Sequence, residues 1–282
     1  MSEQPVWVTG AGGLIGGYIV RHARTGQGNP PVIGLTRAEL ELTDFAAVRR
    51  AFRDARPQLI IHCAALSKSP ACQENPALAH LLNVEVTALL AEIAAEIPFF
   101  FFSTDLVFDG TRGNYHESDA VNPLSVYGET KVAAERVVLA NPRHTVIRTS
   151  LNAGVSVTGD RSFNEDMGRA WEAGRTLRLF VDEFRSPIPA AATARAVWEL
   201  ASRHQPGLYH LAGAERLSRW QIGRLLAKGK SPPPKFESCS LAEYRGAPRA
   251  PDTSLDCAKI QALLSFPLPK FSAWLAGHSN EL

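Results

Sequence analysis

Short, wholly apolar runs alternate with longer stretches of helical periodicity through the first 150 residues, and this alternation limits the fold more than any other feature. The apolar runs predict β-strands at residues 6–10, 32–37, 59–65, 99–105 and 144–150. Helices are predicted between them, at residues 14–24, 45–55, 76–96 and 124–139. Strands that are apolar on both faces occur in parallel sheets that helices cover on both sides. We therefore expect an α/β fold built on a doubly wound parallel sheet.

The regular alternation loosens after Ser150. The pattern there predicts a helix at 164–174, a strand-like run at 177–184, a helix at 190–202, a buried strand at 207–213 and a closing helix within 263–275. The sequence shows no internal repeat. We divide the chain into a domain at 1–150 and a smaller C-terminal α+β lobe at 151–282, which we expect to bind substrate over the sheet's carboxyl edge. Some of its segments are expected to return to the sheet.

Charge and composition exclude several classes of function. The 30 basic and 28 acidic side chains give a net charge of +2 and are mixed along the chain, so we expect no nucleic-acid partner. The N-terminus lacks the pattern of a secretory signal, and the most apolar window, IPFFFFSTDLVF, is shorter than the roughly 20 residues of a membrane span. The four cysteines form no C-x-x-C pair, which argues against a metal site. A cytoplasmic location without membrane contact is expected.

A glycine-rich turn, TGAGGLIGG, separates the first strand from the first helix. Gly10, Gly13 and Gly16 have the spacing G-x-x-G-x-x-G. Glycine allows a sharp turn with positive φ, close approach of a phosphate to the backbone, and tight packing of helix on strand. The free N–H groups at the start of the helix would then face a diphosphate. The turn predicts a dinucleotide-binding Rossmann domain at 1–150, although three glycines can also form a simple flexible turn.

The end of the second strand bears on the choice of cofactor. An acidic side chain there would accept a hydrogen bond from the ribose 2′-hydroxyl of NAD(H). This chain has Thr36 and Arg37 instead, and a guanidinium pairs with a 2′-phosphate, which predicts NADP(H). The alternative is that Arg37 is a solvated cation and Glu39 or Glu41 meets the ribose, which would permit NAD(H).

A tyrosine and a lysine in VYGETK are candidates for the proton chemistry. Tyr127 and Lys131 are four residues apart and so share a helix face, and Thr104 ends the fourth strand at the edge where ligands of such sheets bind. A ketone that is reduced needs a proton, for which Tyr127 is the candidate donor, with Lys131 as the cation that keeps the phenol acidic. Thr104 can polarise the carbonyl oxygen. Each residue alone is more often structural, and the combination favours catalysis.

Six blocks occur together and in order: TGAGGLIGG, STDLVFDG, YGETK, VIRTS, DEFRSPI and GLYHLAG. In these blocks the chain resembles the extended short-chain dehydrogenase/reductases, particularly the dTDP-4-dehydrorhamnose reductase group. The resemblance implies a catalytic set of Thr104, Tyr127 and Lys131, with Asn83 supporting the lysine through water. The candidate cofactor-binding residues are Gly10, Gly13, Leu14, Ile15, Gly16, Thr36, Arg37, Leu42, Cys63, Ala64, Ala65, Tyr127 and Lys131. The neighbouring His62 is as readily a core histidine, and no chemistry is assigned to it.

Several positions on the substrate side depart from the pattern of that group. Leu151 and Asn152 follow RTS where an aromatic residue is usual, and Ala192 stands where an aspartate is expected. Arg185 resembles the arginine that many extended members direct at a nucleotide diphosphate, but a salt bridge with Asp182 or Glu183 is an equal alternative. The candidate substrate-binding residues are Lys68, Asp105, Phe108, Asn152, Phe163 and Arg185, each of which has a structural alternative.

The leading functional hypothesis is NADPH-dependent reduction of a ketone, such as a 4-keto-sugar nucleotide, with Tyr127 as proton donor. One alternative is a sugar-nucleotide epimerase or dehydratase on the same fold, although no glutamate follows Asp105 to serve dehydration. The other alternative is a regulatory subunit that binds NADP(H) without turnover, and the intact Thr104, Tyr127 and Lys131 set weighs against it. The partner is expected to be a small molecule, and a homodimer is compatible with such a fold.

Overall fold

A computed structural model of the chain describes residues 4–25 and 30–278. The strands are β1 (Val6–Thr9), β2 (Val32–Leu35), β3 (Leu59–His62), β4 (Phe99–Thr104), β5 (Thr145–Thr149), β6 (Asn152–Ala153), β7 (Leu177–Phe180), β8 (Phe184–Arg185), β9 (Ile188–Pro189), β10 (Gly207–Leu211), β11 (Leu217–Ser218) and β12 (Phe236–Cys239). The α-helices are α1 (Leu14–Thr25), α2 (Phe45–Ala55), α3 (Ser69–Glu74), α4 (Pro76–His80), α5 (Val86–Ile93), α6 (Val126–Leu139), α7 (Phe163–Glu172), α8 (Ala190–Arg203), α9 (Arg219–Ala227), α10 (Ala258–Gln261) and α11 (Phe271–Gly277). A π-helical turn, Leu81–Glu85, joins α4 to α5, and 3₁₀ turns occupy Asp105–Val107 and Leu241–Glu243.

The main sheet has the strand order β10-β5-β4-β3-β1-β2, and every neighbouring pair is parallel. Strand β1 lies at the point where the order reverses, so the loops that follow β1 and β3 leave the sheet side by side at its carboxyl edge. The predicted α/β, doubly wound, Rossmann-type fold is confirmed.

Helices cover both faces of this sheet. Side chains of β1 alternate between the faces, with Val6 and Val8 on one side and Trp7 on the other. The first side packs with α1 and α8, and the second packs with α2, α5 and α6. Both apolar faces are therefore buried, which explains why the strands read as continuous apolar runs.

The run Pro76–Ile93 is, within the described part of the chain, long and apolar enough to cross a membrane by length and composition. Its residues Val86, Leu89 and Leu90 belong instead to the buried core that packs on the sheet. Core packing is a sufficient reason for its apolar character.

The second half of the chain contributes both to the main sheet and to a separate core. Strand β10 joins the main sheet beside β5, and α8 packs against α1. The remaining short strands form two-stranded sheets, β11 with β8, β12 with β7 and β6 with β9. A separate core that includes Met167, Leu179, Ile222 and Phe271 lies among α7, β7, α9 and α11. This smaller core holds the elements that face the carboxyl edge of the sheet.

Local chemistry moved several element boundaries from their predicted places. Helix α6 begins at Val126 because the Ser125 hydroxyl accepts a hydrogen bond from the Gly128 N–H over 3.2 Å. The strand predicted at 177–184 divides into β7 and β8, and the Asp182 carboxylate at the break accepts the Leu241 N–H over 2.9 Å. The closing helix begins only at Phe271, after two prolines. Helices α3, α9 and α10 were not predicted.

Candidate active site

The glycine turn between β1 and α1 brings backbone segments closer together than side chains would allow. Gly10 has φ +66°, and a β-carbon there would lie 2.7 Å from the Ala64 nitrogen, which no side chain tolerates. A β-carbon on Gly16 would collide with the Gly10 carbonyl oxygen. Gly13 donates its N–H to the same oxygen over 2.9 Å, and α1 begins at Leu14. The turn thus fits the diphosphate of a dinucleotide, since its glycines let a phosphate approach the backbone just before the start of α1.

A buried polar chain connects the glycine turn to α5. The Thr9 hydroxyl lies 2.6 Å from His62 Nδ1, and His62 Nε2 lies 3.2 Å from the Thr87 hydroxyl. Thr87 in turn donates to the Asn83 carbonyl over 2.7 Å. Burial lowers the pKa of His62 to about 3, so the ring is neutral. His62 is a hydrogen-bonded core histidine, and it places the loop of Cys63, Ala64 and Ala65 beside the glycine turn.

The end of β2 presents one cation and two internally bonded acids. The Arg37 side chain is 90% exposed, and its Nε lies 2.7 Å from Glu41. The Glu39 carboxylate accepts the Thr36 N–H over 2.6 Å and also bonds the Thr36 hydroxyl, which lowers the pKa of Glu39. Leu42 is half-buried against the core on that side of the sheet. Both acids thus have local partners, while the Arg37 guanidinium extends into solvent.

Helix α6 carries Tyr127, Lys131 and Glu135 on one face, four residues apart. Lys131 is 2% exposed, and its ammonium lies 3.9 Å from the centre of the Phe101 ring in β4. Burial lowers the pKa of Lys131 to about 7, while Glu135 opposes that shift. Glu135 itself is buried and binds Arg148 of β5 over 2.7 Å, which fixes α6 on the sheet. The ammonium is therefore held against the sheet beneath Tyr127.

The Tyr127 phenol lies against the Thr104 hydroxyl at the end of β4. Burial and the nearby Asp105 carboxylate raise the pKa of Tyr127, and the hydrogen bond with Thr104 lowers it. Lys131 is not among the groups that shift this pKa. Burial is the largest cause of that shift, and the expectation that Lys131 keeps the phenol acidic stays a prediction. The phenol is protonated at neutral pH, as a proton donor must be.

Asn83 lies in the π-helical turn and joins two loops of the site. Its amide accepts the Leu66 N–H over 2.8 Å and donates to the Leu66 carbonyl over 3.1 Å and to the Thr130 hydroxyl over 3.0 Å. Asn83 therefore contacts the residue before Lys131 and the loop after β3, and it makes no direct hydrogen bond to the lysine. π-Helical turns are frequent at functional sites.

Phe108 and Asn152 do not line an open pocket, and their assignment as substrate-binding residues is wrong for this structure. Phe108 is 1% exposed and stacks on Tyr115 with ring centres 4.1 Å apart. The Asn152 amide donates to Thr149 over 2.9 Å and accepts the Thr193 hydroxyl over 2.6 Å. The sequence places both near strand ends, but their side chains point into the core.

Asp105 and Arg185 are also committed to internal partners. The Asp105 carboxylate accepts the hydroxyls of Ser150 and Thr253 over 2.7 and 2.9 Å, and burial raises its pKa. Arg185 lies 3.1 Å from Glu183 and 3.7 Å from Asp105. The salt-bridge alternative with Glu183 describes Arg185 in this structure, so its assignment to substrate needs these bonds to break.

The other two substrate candidates lie nearer to solvent. Lys68 is exposed just before α3; the pKa of Asp160, in the loop before α7, is lowered mainly by its hydrogen bond with Thr158, and the charge of Lys68 adds a smaller effect. Phe163 is half-buried at the start of α7, and the Arg219 guanidinium lies 5.6 Å from its ring centre.

Sequence reasoning missed Arg219 and Arg249, which surround Glu183 together with Arg185. Arg249 binds Glu183 over 2.6 Å, and Arg219 donates its backbone N–H to the Glu183 carbonyl over 2.9 Å. One signal was available in the stretch SRWQ, a capping box that marks the start of α9 and places a cation where the helix dipole disfavours it.

Comparison with known proteins gives consistent matches over almost the whole chain. The family described as the RmlD substrate binding domain matches residues 4–282. The chain is 31% identical over 271 residues to methionine adenosyltransferase 2 subunit beta from Xenopus laevis, covering 91% of this chain and 81% of that protein. It is 30% identical over 290 residues to a probable low-salt glycan biosynthesis reductase from Haloferax volcanii, with coverage of 96% and 95%. The structure of a dTDP-4-dehydrorhamnose reductase from Bacillus anthracis in complex with NADP superposes with a TM-score of 0.90 over 100% of both chains, at 22% identity, which shows a shared fold.

Proposed function

The chain belongs to the RmlD substrate binding domain family, and from that premise we propose that it is an NADPH-dependent reductase of a ketone, of the kind found in a 4-keto-sugar nucleotide. The resemblance to the extended short-chain dehydrogenase/reductases and their dTDP-4-dehydrorhamnose reductase group is confirmed by this family match. The observation that carries the proposal is the meeting of Thr104 with Tyr127, one helical turn from the buried Lys131. Burying an ammonium is costly because burial disfavours its charge. Stability therefore does not explain Lys131, and a functional role does.

The cofactor site would be formed by the glycine turn and the loops beside it. Gly10, Gly13 and Gly16 leave space for the diphosphate at the start of α1, and Ala64 closes the other side. Arg37 is the side chain available for a 2′-phosphate, because Glu39 bonds Thr36, Glu41 bonds Thr43, and the pair of Arg37 with Glu41 uses only the guanidinium Nε. When bound, NADPH supplies the hydride. We therefore propose NADP(H) as the preferred cofactor and the region 151–282 as the main substrate-binding lobe.

The protein's own groups would handle the proton. Tyr127 holds its proton at neutral pH and donates it to the carbonyl oxygen, while the Thr104 hydroxyl hydrogen-bonds the same oxygen. Lys131 would stabilise the resulting phenolate and hold the cofactor's ribose. Asn83 acts as a positioning residue, since it ties Thr130 to the loop after β3.

Net oxidation of NADPH distinguishes the candidate functions. The purified protein is mixed with NADPH and a panel of 4-keto-sugar nucleotides and simple ketones, and absorbance at the NADPH band is followed. A reductase consumes NADPH in proportion to the ketone, whereas an epimerase converts substrate without net consumption. Conversion without consumption, or no turnover with any ketone, would overturn the proposal.

A second candidate function is supported by the relative from Xenopus laevis, which is named as a subunit of methionine adenosyltransferase. In that case the chain would bind NADP(H) and act on a partner enzyme rather than on a ketone. Binding of NADPH without turnover of any ketone, together with complex formation with a methionine adenosyltransferase, would support this alternative.

A further inference from the structure

A cluster of three arginines lies where β8, β11 and α9 meet, and we name it the arginine cluster: Arg185, Arg219 and Arg249. Two buried carboxylates face it, Glu183 and Asp105. Glu183 accepts two hydrogen bonds from Arg249, over 2.6 and 2.9 Å, and pairs with Arg185 at 3.1 Å. Arg185 also donates to the carbonyls of Phe184 and Ala250 over 2.7 and 3.1 Å. Two of the three guanidinium groups thus have carboxylate partners.

Arg219 is the exception in this cluster. Within residues 4–25 and 30–278 its guanidinium has no hydrogen bond or ion pair, and its ring contact is with Phe163 at 5.6 Å. Burial lowers the pKa of Arg219 to about 10, with smaller contributions in the same direction from Arg185 and Arg249, while the Glu183 carboxylate opposes the shift without a hydrogen bond to the guanidinium. Three cations therefore face two carboxylates, and one of these, Glu183, pairs with both Arg185 and Arg249. The cluster has a surplus of positive charge, and Arg219 carries it.

Stability gives no reason for this cation. Arg219 is the first residue of α9, where the helix dipole disfavours positive charge. The Ser218 capping box satisfies the helix start without it, since Ser218 and Gln221 bond each other's backbone N–H groups over 3.1 and 2.7 Å. A half-buried guanidinium with like charges beside it and no partner is a place for an anion.

The cluster is electrostatically connected to the catalytic residues. The Asp105 carboxylate lies 3.7 Å from Arg185 and accepts the Thr104 hydroxyl over 3.2 Å, so it bridges the cluster and the end of β4. An anion bound at Arg219 would therefore lie on the substrate side of the proposed proton donor. A planar guanidinium with five donors matches the oxygens of a phosphate, and the half-buried Phe163 ring beside it offers an apolar wall.

We propose that Arg219 binds the diphosphate of a nucleotide-linked substrate, in place of the internally bonded Arg185. This inference rests on the proposed reductase function and specifies which substrates it takes. Ketones that carry a nucleoside diphosphate are bound through Arg219, and neutral ketones of similar size are not.

Direct binding tests the assignment without turnover. Isothermal calorimetry of the NADPH-saturated protein with dTDP and UDP is compared for the wild type, Arg219→Gln and Arg219→Lys. We expect at least about tenfold weaker binding for Arg219→Gln and an intermediate loss for Arg219→Lys. Arg224→Gln, an exposed arginine on the same helix, is the matched control and should bind as the wild type does. Inorganic pyrophosphate should compete with dTDP in the wild type.

Three outcomes separate this inference from the reductase proposal. Equal dTDP binding by the wild type and Arg219→Gln overturns the role of Arg219 and leaves the reductase proposal intact. The same conclusion follows if the wild type reduces neutral ketones but binds neither dTDP nor UDP. Thermal unfolding adds a control for structure: Arg219→Gln should keep or raise Tm, because the substitution removes repulsion. A fall of several degrees would mean that Arg219 is a structural residue and would overturn the assignment.

Discussion

The ammonium of Lys131 on α6 lies 3.9 Å from the centre of the Phe101 ring on β4, and it is almost completely removed from solvent. The ring face attracts the cation, but this contact contributes less than the cost of removing an ammonium from water. The lowered pKa of Lys131, about 7, expresses that cost. The fold therefore carries an unfavourable charge at the position where the proposed chemistry needs one.

Replacing this lysine should stabilise the protein while it abolishes function. We expect Lys131→Met to raise the free energy of unfolding by about 1 to 3 kcal/mol at pH 6, where the ammonium is charged in both states. The gain should shrink as pH rises from about 7 toward the ordinary lysine value near 10, because the folded wild type then keeps a neutral lysine and loses the penalty. Urea unfolding at pH 6, 8 and 10 measures this. A gain that is constant over this pH range, or a loss at pH 6, would contradict the account.

The glycine turn allows a comparison between two alanine substitutions in the same loop. Gly10→Ala should destabilise the fold by about 2 to 4 kcal/mol, because φ is +66° and the new β-carbon meets the Ala64 backbone. Gly12→Ala is the control, since its β-carbon would be 3.5 Å from the nearest atom, a methyl of Thr36. Thermal unfolding and NADPH binding by fluorescence measure both variants. Equal behaviour of the two would show that the turn is merely flexible.

The exposed guanidinium at the end of β2 should select between the two cofactors. We expect Arg37→Ala to raise the KM for NADPH about tenfold and to change the KM for NADH less than about twofold. Only NADPH has a 2′-phosphate, and that phosphate would lose its guanidinium partner in the variant. Arg50→Ala, an exposed arginine on α2, is the matched control and should leave both constants unchanged. Equal effects of Arg37→Ala on the two KM values would indicate that Glu39 or Glu41, rather than Arg37, contacts the ribose of the cofactor.

The features that the sequence predicted best are those that depend on local pattern. The strands of the main sheet, the turn at Gly10 and the face shared by Tyr127 and Lys131 follow from spacing, because strand and helix periods fix which side chains are neighbours. The Ser125 cap moved the start of α6 by only two residues from the predicted 124.

The features that failed depend on partners distant in the sequence. The stretch DEFRSPI does not indicate that Arg185 is bonded to the Ala250 carbonyl 65 positions away. The stretch STDLVFDG likewise does not indicate that Phe108 stacks on Tyr115. The pKa of Tyr127 likewise depends first on burial by the whole fold, which the spacing of residues along the chain does not show. The stretch SRWQ marks the position of Arg219 at a helix start, but the charges around its guanidinium come from residues distant in the sequence.

Removal of one oxygen atom tests the central claim most directly. Tyr127→Phe keeps the ring and its packing but has no proton to donate. For the 4-keto-sugar nucleotide that the wild type reduces fastest, we predict that kcat falls at least about 100-fold in this variant while its Kd for NADPH stays within about threefold of the wild type. A Tyr127→Phe protein that oxidises NADPH with the ketone at the wild-type rate would contradict the account.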